Sequence, residues 1–238
     1  MKLLNQLIKL IKLFQNKKTR IGLFNNIAAN LELEDFVKDL NFQTVLDIGS
    51  NKGQFILLIE KLFMENKNIY SFEPIKEILE DQKKFFANKK NILFFNFALG
   101  EKSSQKILNI TKRRDSSSFL EINNIIKNND HLVEEKREIE IKSLDVLMKN
   151  KDCTKPILVK IDVQGYELEV LKGSTSFLKE VKYIIIEVSD DEIYTKQALA
   201  HNIIEYLNNM NFKILKETKA YKIPGTTLKQ KDILFIKE

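Results

Sequence analysis

The chain has 238 residues, of which 43% are hydrophobic and 30% charged, proportions typical of a globular protein. Seven glycines and three prolines are too few for an all-β sandwich or a low-complexity array. The net charge of +6 arises at one end, since residues 1–20 hold six basic residues and no acid. With those six set aside, basic residues equal the 33 acidic ones, so the body has no surplus with which to bind nucleic acid.

Cys153 is the only cysteine, which excludes an intramolecular disulfide and a zinc site built from several thiolates. A reducing compartment suits such a chain, and we expect a cytoplasmic protein. Cys153 has no histidine in its neighbourhood to activate it, which argues against cysteine catalysis. His131 and His201 lack a matching acid, and we expect both at the surface.

Residues 1–14 have the spacing of an amphipathic helix, and we assign residues 1–42 to an N-terminal helical extension. Two lysines interrupt the apolar region, which excludes a secretory signal, and the longest uncharged stretch, Ile21–Leu31, is too short to cross a bilayer. Two interpretations stay open for the apolar side of residues 1–20. It packs on its own domain or on a partner subunit of a homo-oligomer, or it lies on anionic lipid at the inner face of a membrane.

Short apolar runs alternate with helical patterns from residue 43 onward, and we assign residues 43–238 to one α/β domain. This alternation predicts a seven-stranded, mostly parallel, Rossmann-like sheet with helices on both faces and a C-terminal antiparallel hairpin. Residues 100–150 break the alternation, and we expect this insertion to cover the acceptor site. The predicted strands are Thr44–Ile48, Asn68–Phe72, Asn91–Phe97, Ile157–Ile161, Tyr183–Val188, Phe212–Leu215 and Asp232–Ile236; the predicted helices are Gln54–Met64, Ile75–Ala87, Tyr166–Lys172 and Lys196–Asn209.

The strongest motif is a strand that runs into a glycine turn and a helix, with Asp47, Gly49, Asn51 and Gly53 in the turn region. The glycines allow a ligand to approach the backbone. Asp47 ahead of the turn would repel a pyrophosphate but suits the ammonium of an amino acid, so S-adenosylmethionine fits better than a dinucleotide.

Two further acids end predicted strands. Glu73 lies twenty positions after Gly53, where a carboxylate accepts hydrogen bonds from ribose hydroxyls. Asp162 ends the strand Ile157–Ile161 at the sheet edge where α/β proteins bind their ligands. Glu167 follows in the first turn of a helix, where an acid at a helix start is as good an interpretation as a site residue.

The chain resembles the FkbM-type S-adenosylmethionine-dependent methyltransferases over residues 43–190. The resemblance rests on six motifs in order: Asp47-Ile-Gly-Ser-Asn-Lys-Gly53, Tyr70-Ser-Phe-Glu-Pro74, Phe97-Ala-Leu-Gly100, Ser116-Ser-Ser-Phe119, Ser143-Leu-Asp-Val-Leu147 and Ile161-Asp-Val-Gln-Gly-Tyr-Glu167. It implies a class I methyltransferase fold and methyl transfer to oxygen on a saccharide or another polyhydroxylated metabolite.

The resemblance implies roles for individual residues. Asp47, Gly49, Asn51 and Gly53 would hold the methionine part of the cofactor, Glu73 the ribose, and Asn96 with Ala98 the adenine edge. Asp162 would sit beside the acceptor oxygen. From the chemistry of the reaction we expect Asp162 to accept the proton of the acceptor hydroxyl, with Glu167 or Glu187 in reserve. Ser116, Ser117, Gln164 and Glu187 are the candidate acceptor-binding residues.

The family often has Glu where this chain has Gln164, and a neutral amide there weakens any divalent-cation site, so we expect no metal. Two other classes remain as alternatives: an NAD-type oxidoreductase, and a non-catalytic binding or membrane-surface module. The missing third glycine and the acid ahead of the turn argue against the oxidoreductase.

Overall fold

The computed structural model describes residues 10–63, 67–126, 129–151, 153–223 and 226–238. Its strands are β1 (Thr44–Ile48), β2 (Asn68–Phe72), β3 (Ile92–Phe95), β4 (Ala98–Leu99), β5 (Ser104–Thr111), β6 (Val133–Lys142), β7 (Ile157–Ile161), β8 (Tyr183–Ser189), β9 (Phe212–Glu217), β10 (Tyr221–Lys222) and β11 (Lys229–Lys237). Its helices are α1 (Lys17–Phe24), α2 (Glu34–Val37), α3 (Gln54–Leu62), α4 (Lys76–Phe85), α5 (Leu144–Met148), α6 (Glu167–Lys172) and α7 (Ala200–Asn209).

Within these residues the main sheet has eight strands in the order β10, β11, β8, β7, β1, β2, β3, and β9 also pairs with β11. Strands β3, β2, β1, β7 and β8 are parallel, as the alternation predicts. The last strand, β11, is antiparallel to both β8 and β9, which confirms the C-terminal hairpin. The eighth strand, β10, lies in the connection between β9 and β11, where no strand is predicted.

Side chains on the central strands alternate between two buried layers. Val45 and Leu158 join one apolar cluster with Phe55 of α3, whereas Leu46 and Val159 join the other. A strand that is buried on both faces reads as a continuous apolar run, which is why β1 and β7 are recognisable in the sequence.

The insertion contains β-strands that are not predicted from the sequence. Strands β5 and β6 form an antiparallel pair, and β4 pairs with β6 to give a separate three-stranded sheet. The predicted strand Asn91–Phe97 is therefore wrong at its end, because it stops at Phe95 and Ala98–Leu99 belongs to this second sheet. Leu108, Ile110, Ile139 and Ile141 pack under Ile78 of α4.

The N-terminal extension packs on the domain from Leu13 onward. Leu13, Phe36 and Phe42 are buried in the same cluster as α3. Lys61 of α3 pairs with Glu34 at 2.6 Å. Residues 1–9, which carry most of the predicted apolar stripe, lie outside the described residues. The helices of the described ranges include none long and apolar enough to span a bilayer.

Candidate active site

Two adjoining pockets open at the carboxyl ends of the parallel strands. The Glu73 pocket is bounded by β1, β2 and the insertion, and the Glu187 pocket by β7, β8 and the C-terminal strands. Shared wall residues separate the two: Gly49, Asn51, Asp115, Asp162 and Gln164. Asp162 therefore lines both pockets.

The glycine turn after β1 has the backbone that its residues predict. Gly49 has φ +78°, and an added Cβ would meet the carbonyl oxygen of Asp162 at 1.9 Å. Gly53 has φ +83°, but its added Cβ would meet the Phe86 ring at 2.7 Å and not a pocket. Gly49 is thus required for the close approach of β1 and β7, whereas Gly53 is required for packing of α3 against α4.

Asp47 and Asn51 carry buried oxygen atoms without a hydrogen-bond partner. Neither carboxylate oxygen of the fully buried Asp47 accepts a hydrogen bond, and neither does Oδ1 of Asn51, which lines both pockets. Burial raises the pKa of Asp47 to about 6, against the opposing effect of Lys160. The unpaired Asn51 oxygen suits an ammonium group, so Asn51 fits the methionine end of S-adenosylmethionine. Asp47 lines neither pocket, and its role toward the cofactor stays a prediction.

Glu73 lies at the end of β2 and is 5% exposed. Its Oε2 accepts from the Asn51 backbone N–H at 2.9 Å and its Oε1 from the Ile75 N–H at 2.8 Å. Burial raises the pKa of Glu73 to about 7, although these two hydrogen bonds favour the charged form. Each carboxylate oxygen keeps acceptor capacity toward the pocket, which fits a pair of ribose hydroxyls.

The two residues expected at the adenine edge are placed differently. Ala98 lines the Glu73 pocket together with Phe97 and Phe119. Asn96 does not line it, because its amide donates to the backbone carbonyls of Glu73 and Pro74 at 3.0 Å each. The Asn96 side chain thus holds the turn after β2, and the predicted role of this residue at the adenine edge stays a prediction.

Asp162 is held by polar partners on both sides. Its Oδ1 accepts from the Gln164 amide at 2.7 Å and its Oδ2 from the Lys160 ammonium at 3.1 Å. The Lys160 ammonium is also 3.8 Å from Oδ1 of Asp47. Burial disfavours the charge of Lys160, but Asp162 and Asp47 outweigh it and raise its pKa. An oriented carboxylate at a wall shared by two pockets is suited to accept a proton.

Glu167, named as a reserve base, lies elsewhere. Its Oε1 accepts from the backbone N–H groups of Val163 and Gly165 at 3.1 Å each, which closes the turn between β7 and α6. Burial raises the pKa of Glu167 to about 7. Glu167 therefore acts as an acid at the start of α6 that binds the preceding turn. It lines neither pocket.

Glu187 lines its pocket and is hydrogen bonded from the C-terminal hairpin. Its Oε1 accepts from the Tyr221 hydroxyl at 2.5 Å and from the Gln230 amide at 2.7 Å. Burial, reinforced by nearby Asp162, raises the pKa of Glu187 well above its usual value. The remaining oxygen is 3.3 Å from the Gln164 amide, so Gln164 links Glu187 to Asp162.

The serine motif of the insertion contacts the turn after β7. Ser118 donates to the Gln164 carbonyl at 2.6 Å, and Tyr194 donates to the Gln164 side-chain oxygen at 2.7 Å. Ser116 lines the Glu187 pocket, whereas Ser117 lines the Glu73 pocket and accepts from the Thr111 N–H. The insertion thus contributes to both pockets.

Several pocket residues are missed by the sequence analysis. Lys160 sits in a buried strand, where a lone lysine among apolar residues was the available signal. His131, expected at the surface, lines the Glu187 pocket, and its buried Nδ1 has no partner. Tyr194 and Tyr221 come from loops and edges that no local pattern links to the motifs. The described residues include no cluster of three or more metal-ligating side chains.

Residues 47–214 match the family model described as the methyltransferase FkbM domain. The chain belongs to the FkbM methyltransferase family. It is 28% identical over 166 residues to the hexuronic acid methyltransferase AglP of Haloferax volcanii, covering 68% of this chain and 61% of that protein. This FkbM-family chain therefore spans about three fifths of the length of that relative.

Solved structures share the fold. An FkbM methyltransferase from Methylobacillus flagellatus superposes with a TM-score of 0.52 at 14% identity, over 84% of this chain and 45% of that one. Sp1610 of Streptococcus pneumoniae, solved with S-adenosyl-L-methionine, gives 0.51 at 13% identity, over 89% of this chain and 73% of its own. The FkbM-family chain thus has the class I methyltransferase fold that its motif order implies.

Proposed function

We propose that this protein transfers the methyl group of S-adenosylmethionine to a hydroxyl oxygen of a saccharide. The observation that carries the proposal is Asp162, whose carboxylate lies in the wall common to the Glu73 and Glu187 pockets. The family and the unpaired Oδ1 of Asn51, which lines both pockets, support the cofactor. The relative named as a hexuronic acid methyltransferase supports the class of acceptor.

S-adenosylmethionine, when bound, supplies a methyl group on a sulfonium, which is already a reactive electrophile. The main tasks of the protein are then alignment and exclusion of water. Asn51 would hold the methionine part of the cofactor and Glu73 its ribose, and Phe97 and Phe119 provide apolar walls. Asp162 accepts the proton that the acceptor hydroxyl loses as its oxygen forms the new bond.

The Glu187 pocket is assigned to the acceptor. Its wall combines hydroxyl, amide and charged groups, including Ser116, Arg113, His131 and Tyr194. A polyhydroxylated ligand needs many such donors and acceptors at one surface. Glu187 itself faces the acceptor in this arrangement, as expected for a substrate-binding residue, and Gln164 orients it.

Equilibrium binding tests the cofactor, and labelled methyl transfer tests the reaction. We expect S-adenosylhomocysteine to bind the purified protein and NAD not to bind. NAD binding more tightly than S-adenosylhomocysteine would support the oxidoreductase alternative and overturn the proposal.

The acceptor is tested with methyl-labelled S-adenosylmethionine and two matched sets of saccharides, hexuronic acids and the corresponding neutral hexoses, as free sugars and in oligosaccharides. We expect label on a sugar oxygen, located by mass spectrometry, with the hexuronic acids preferred. Label on a protein or nucleic acid and on no saccharide would refute the proposed acceptor class.

A further inference from the structure

The N-terminal segment exposes five large apolar side chains. Leu10, Ile11, Phe14, Ile21 and Phe24 are 45%, 49%, 44%, 46% and 77% exposed. Together they form the N-terminal apolar surface. The rings of Phe14 and Phe24 meet edge to face with centroids 6.5 Å apart, so the segment 10–15 and α1 meet at this exposed pair.

The surface is held facing outward by buried contacts on the opposite side. Leu13 is 3% exposed and joins the apolar cluster around α3. Thr19 is fully buried, and its hydroxyl donates to the Leu13 carbonyl at 2.6 Å. Gly22 packs against Leu57, where an added Cβ would lie 2.3 Å from a side-chain carbon. Because these contacts fix one side of the segment against the domain, the exposed apolar residues stay on its outer side.

Exposed cations flank this surface, and an acid from a later part of the chain, Asp35, interacts with Lys12. Lys12, Lys17 and Arg20 are exposed, and no acidic residue precedes Glu32 in the chain. The Arg20 guanidinium is 3.5 Å from the Phe14 carbonyl, which places a positive charge at the edge of the apolar surface. Apolar side chains ringed by cations match the two layers of an anionic lipid surface.

We propose that the N-terminal apolar surface docks on a bilayer that contains anionic phospholipid. The apolar side chains enter the boundary between headgroups and acyl chains, and Lys12, Lys17 and Arg20 contact lipid phosphates. A second copy of the chain is a poorer occupant, because a two-fold contact would bring Lys17 and Arg20 of both copies together, and residues 10–31 contain no acid to offset them.

The N-terminal apolar surface is separate from both pockets. None of the five residues lines the Glu73 pocket or the Glu187 pocket. Asn30, which does line the Glu187 pocket, follows Phe24 by six residues, a span of at most about 20 Å. The acceptor pocket of the docked protein would thus lie close to the bilayer.

The test is flotation of the full chain with vesicles of phosphatidylcholine alone and of phosphatidylcholine mixed with phosphatidylglycerol. We expect binding to the mixed vesicles only, and weaker binding at high salt. The triple variant Ile11→Glu/Phe14→Glu/Phe24→Glu should bind the mixed vesicles at least about 10-fold more weakly, because apolar insertion and charge attraction are both lost.

A matched control places three glutamates at exposed apolar positions elsewhere: Leu93→Glu/Ile107→Glu/Val146→Glu, at side chains that are 48%, 47% and 70% exposed. The control has the same change in net charge and should keep vesicle binding within about 3-fold. S-adenosylhomocysteine binding and the melting temperature should be the same in both variants, which shows that each is folded.

Equal binding to both vesicle types, absence of binding to the mixed vesicles, or equal loss in the control variant would each overturn the proposal. Sedimentation provides the remaining outcome. A wild-type dimer that becomes monomeric in the Ile11→Glu/Phe14→Glu/Phe24→Glu variant would show that the surface joins two copies, and the lipid proposal would be wrong. Methyl transfer is not the readout, so failure of the proposed function would not affect this result.

Discussion

The ammonium of Lys160 lies 3.1 Å from Oδ2 of Asp162, and Lys160 is only 5% exposed. The same ammonium reaches to 3.8 Å from Asp47 on the neighbouring strand, its partner in the parallel register. One buried cation therefore contacts a carboxylate assigned to the cofactor and the carboxylate assigned to proton transfer. A buried ion pair broken on one side leaves an uncompensated charge, so this contact has consequences for binding and for stability.

Lys160→Met should shift the pH dependence of S-adenosylhomocysteine binding to higher pH. Lys160 lowers the pKa of Asp47, which burial raises to about 6, and without the cation that pKa rises further. Loss of the buried pairing should also destabilise the protein by about 3–5 kcal/mol. Calorimetric titrations across pH and thermal melting measure the two effects. Lys160→Arg keeps the charge and should restore much of both, and an unchanged pH dependence in Lys160→Met would contradict the assignment.

Asp162→Asn keeps the size of the side chain and removes the proton acceptor. Methyl transfer should fall by roughly 10²–10⁴-fold, the range for a lost general base, while S-adenosylhomocysteine binds within a few-fold of wild type. Single-turnover kinetics and calorimetry give the two values. A parallel collapse of cofactor affinity would make Asp162 a binding or folding residue, and full activity would transfer the base role to Glu187.

Glu73→Gln should weaken S-adenosylhomocysteine binding by about 1–3 kcal/mol, because a charged acceptor for hydroxyl groups becomes neutral. The variant keeps one side-chain oxygen, which can accept a hydrogen bond from the backbone N–H of Asn51 or Ile75. Glu73→Ala would lose both of these hydrogen bonds. Titration calorimetry measures the loss. Deoxygenated cofactor analogues serve as the control, since a variant without the carboxylate should no longer distinguish them from S-adenosylhomocysteine.

Cofactor affinity should rise with pH. Burial raises the pKa of Asp47 to about 6 and that of Glu73 to about 7, so both are protonated in the free protein under mildly acidic conditions. Binding favours their ionised forms, and S-adenosylhomocysteine should bind at least about 10-fold more tightly near pH 7.5 than near pH 5.

The same pKa shifts fix the sign of the effect on stability. A carboxyl whose pKa is higher folded than unfolded binds more protons in the folded state, so its contribution to stability is lost as pH rises through the folded value. Asp47→Asn should therefore raise the melting temperature of the free protein near neutral pH while weakening cofactor binding. Equal melting temperatures together with a flat binding profile would show that Asp47 carries no buried charge.

Tyr194→Phe should impair methyl transfer without changing cofactor affinity. The Tyr194 hydroxyl holds the Gln164 side chain, whose amide in turn donates to Asp162. Removing the hydroxyl frees this amide and should raise KM for the acceptor more than it lowers kcat. Tyr206→Phe is the matched control, since its hydroxyl bonds Thr175 and the Leu171 carbonyl outside both pockets. Equal effects of the two substitutions would remove Tyr194 from the site.

Local pattern predicts central strands of the parallel sheet. Thr44–Ile48, Asn68–Phe72 and Ile157–Ile161 are strands with the predicted bounds. The pattern does not predict the sheet of the insertion. In β6 the buried residues Ile139 and Ile141 alternate with the exposed residues Glu138 and Glu140. Alternation of this kind is the usual signal of a strand with one covered face, and the charged residues obscured it.

The sequence by itself determined the order of the motifs, the acids at the strand ends and the glycine turn, because each depends on neighbours a few positions apart. Tertiary structure alone decided which side chains meet. It placed Gly53 against Phe86, assigned Asn96 to a backbone turn and brought Lys160 beside Asp47. These contacts depend on strand register and on packing between distant segments, and no local spacing encodes them.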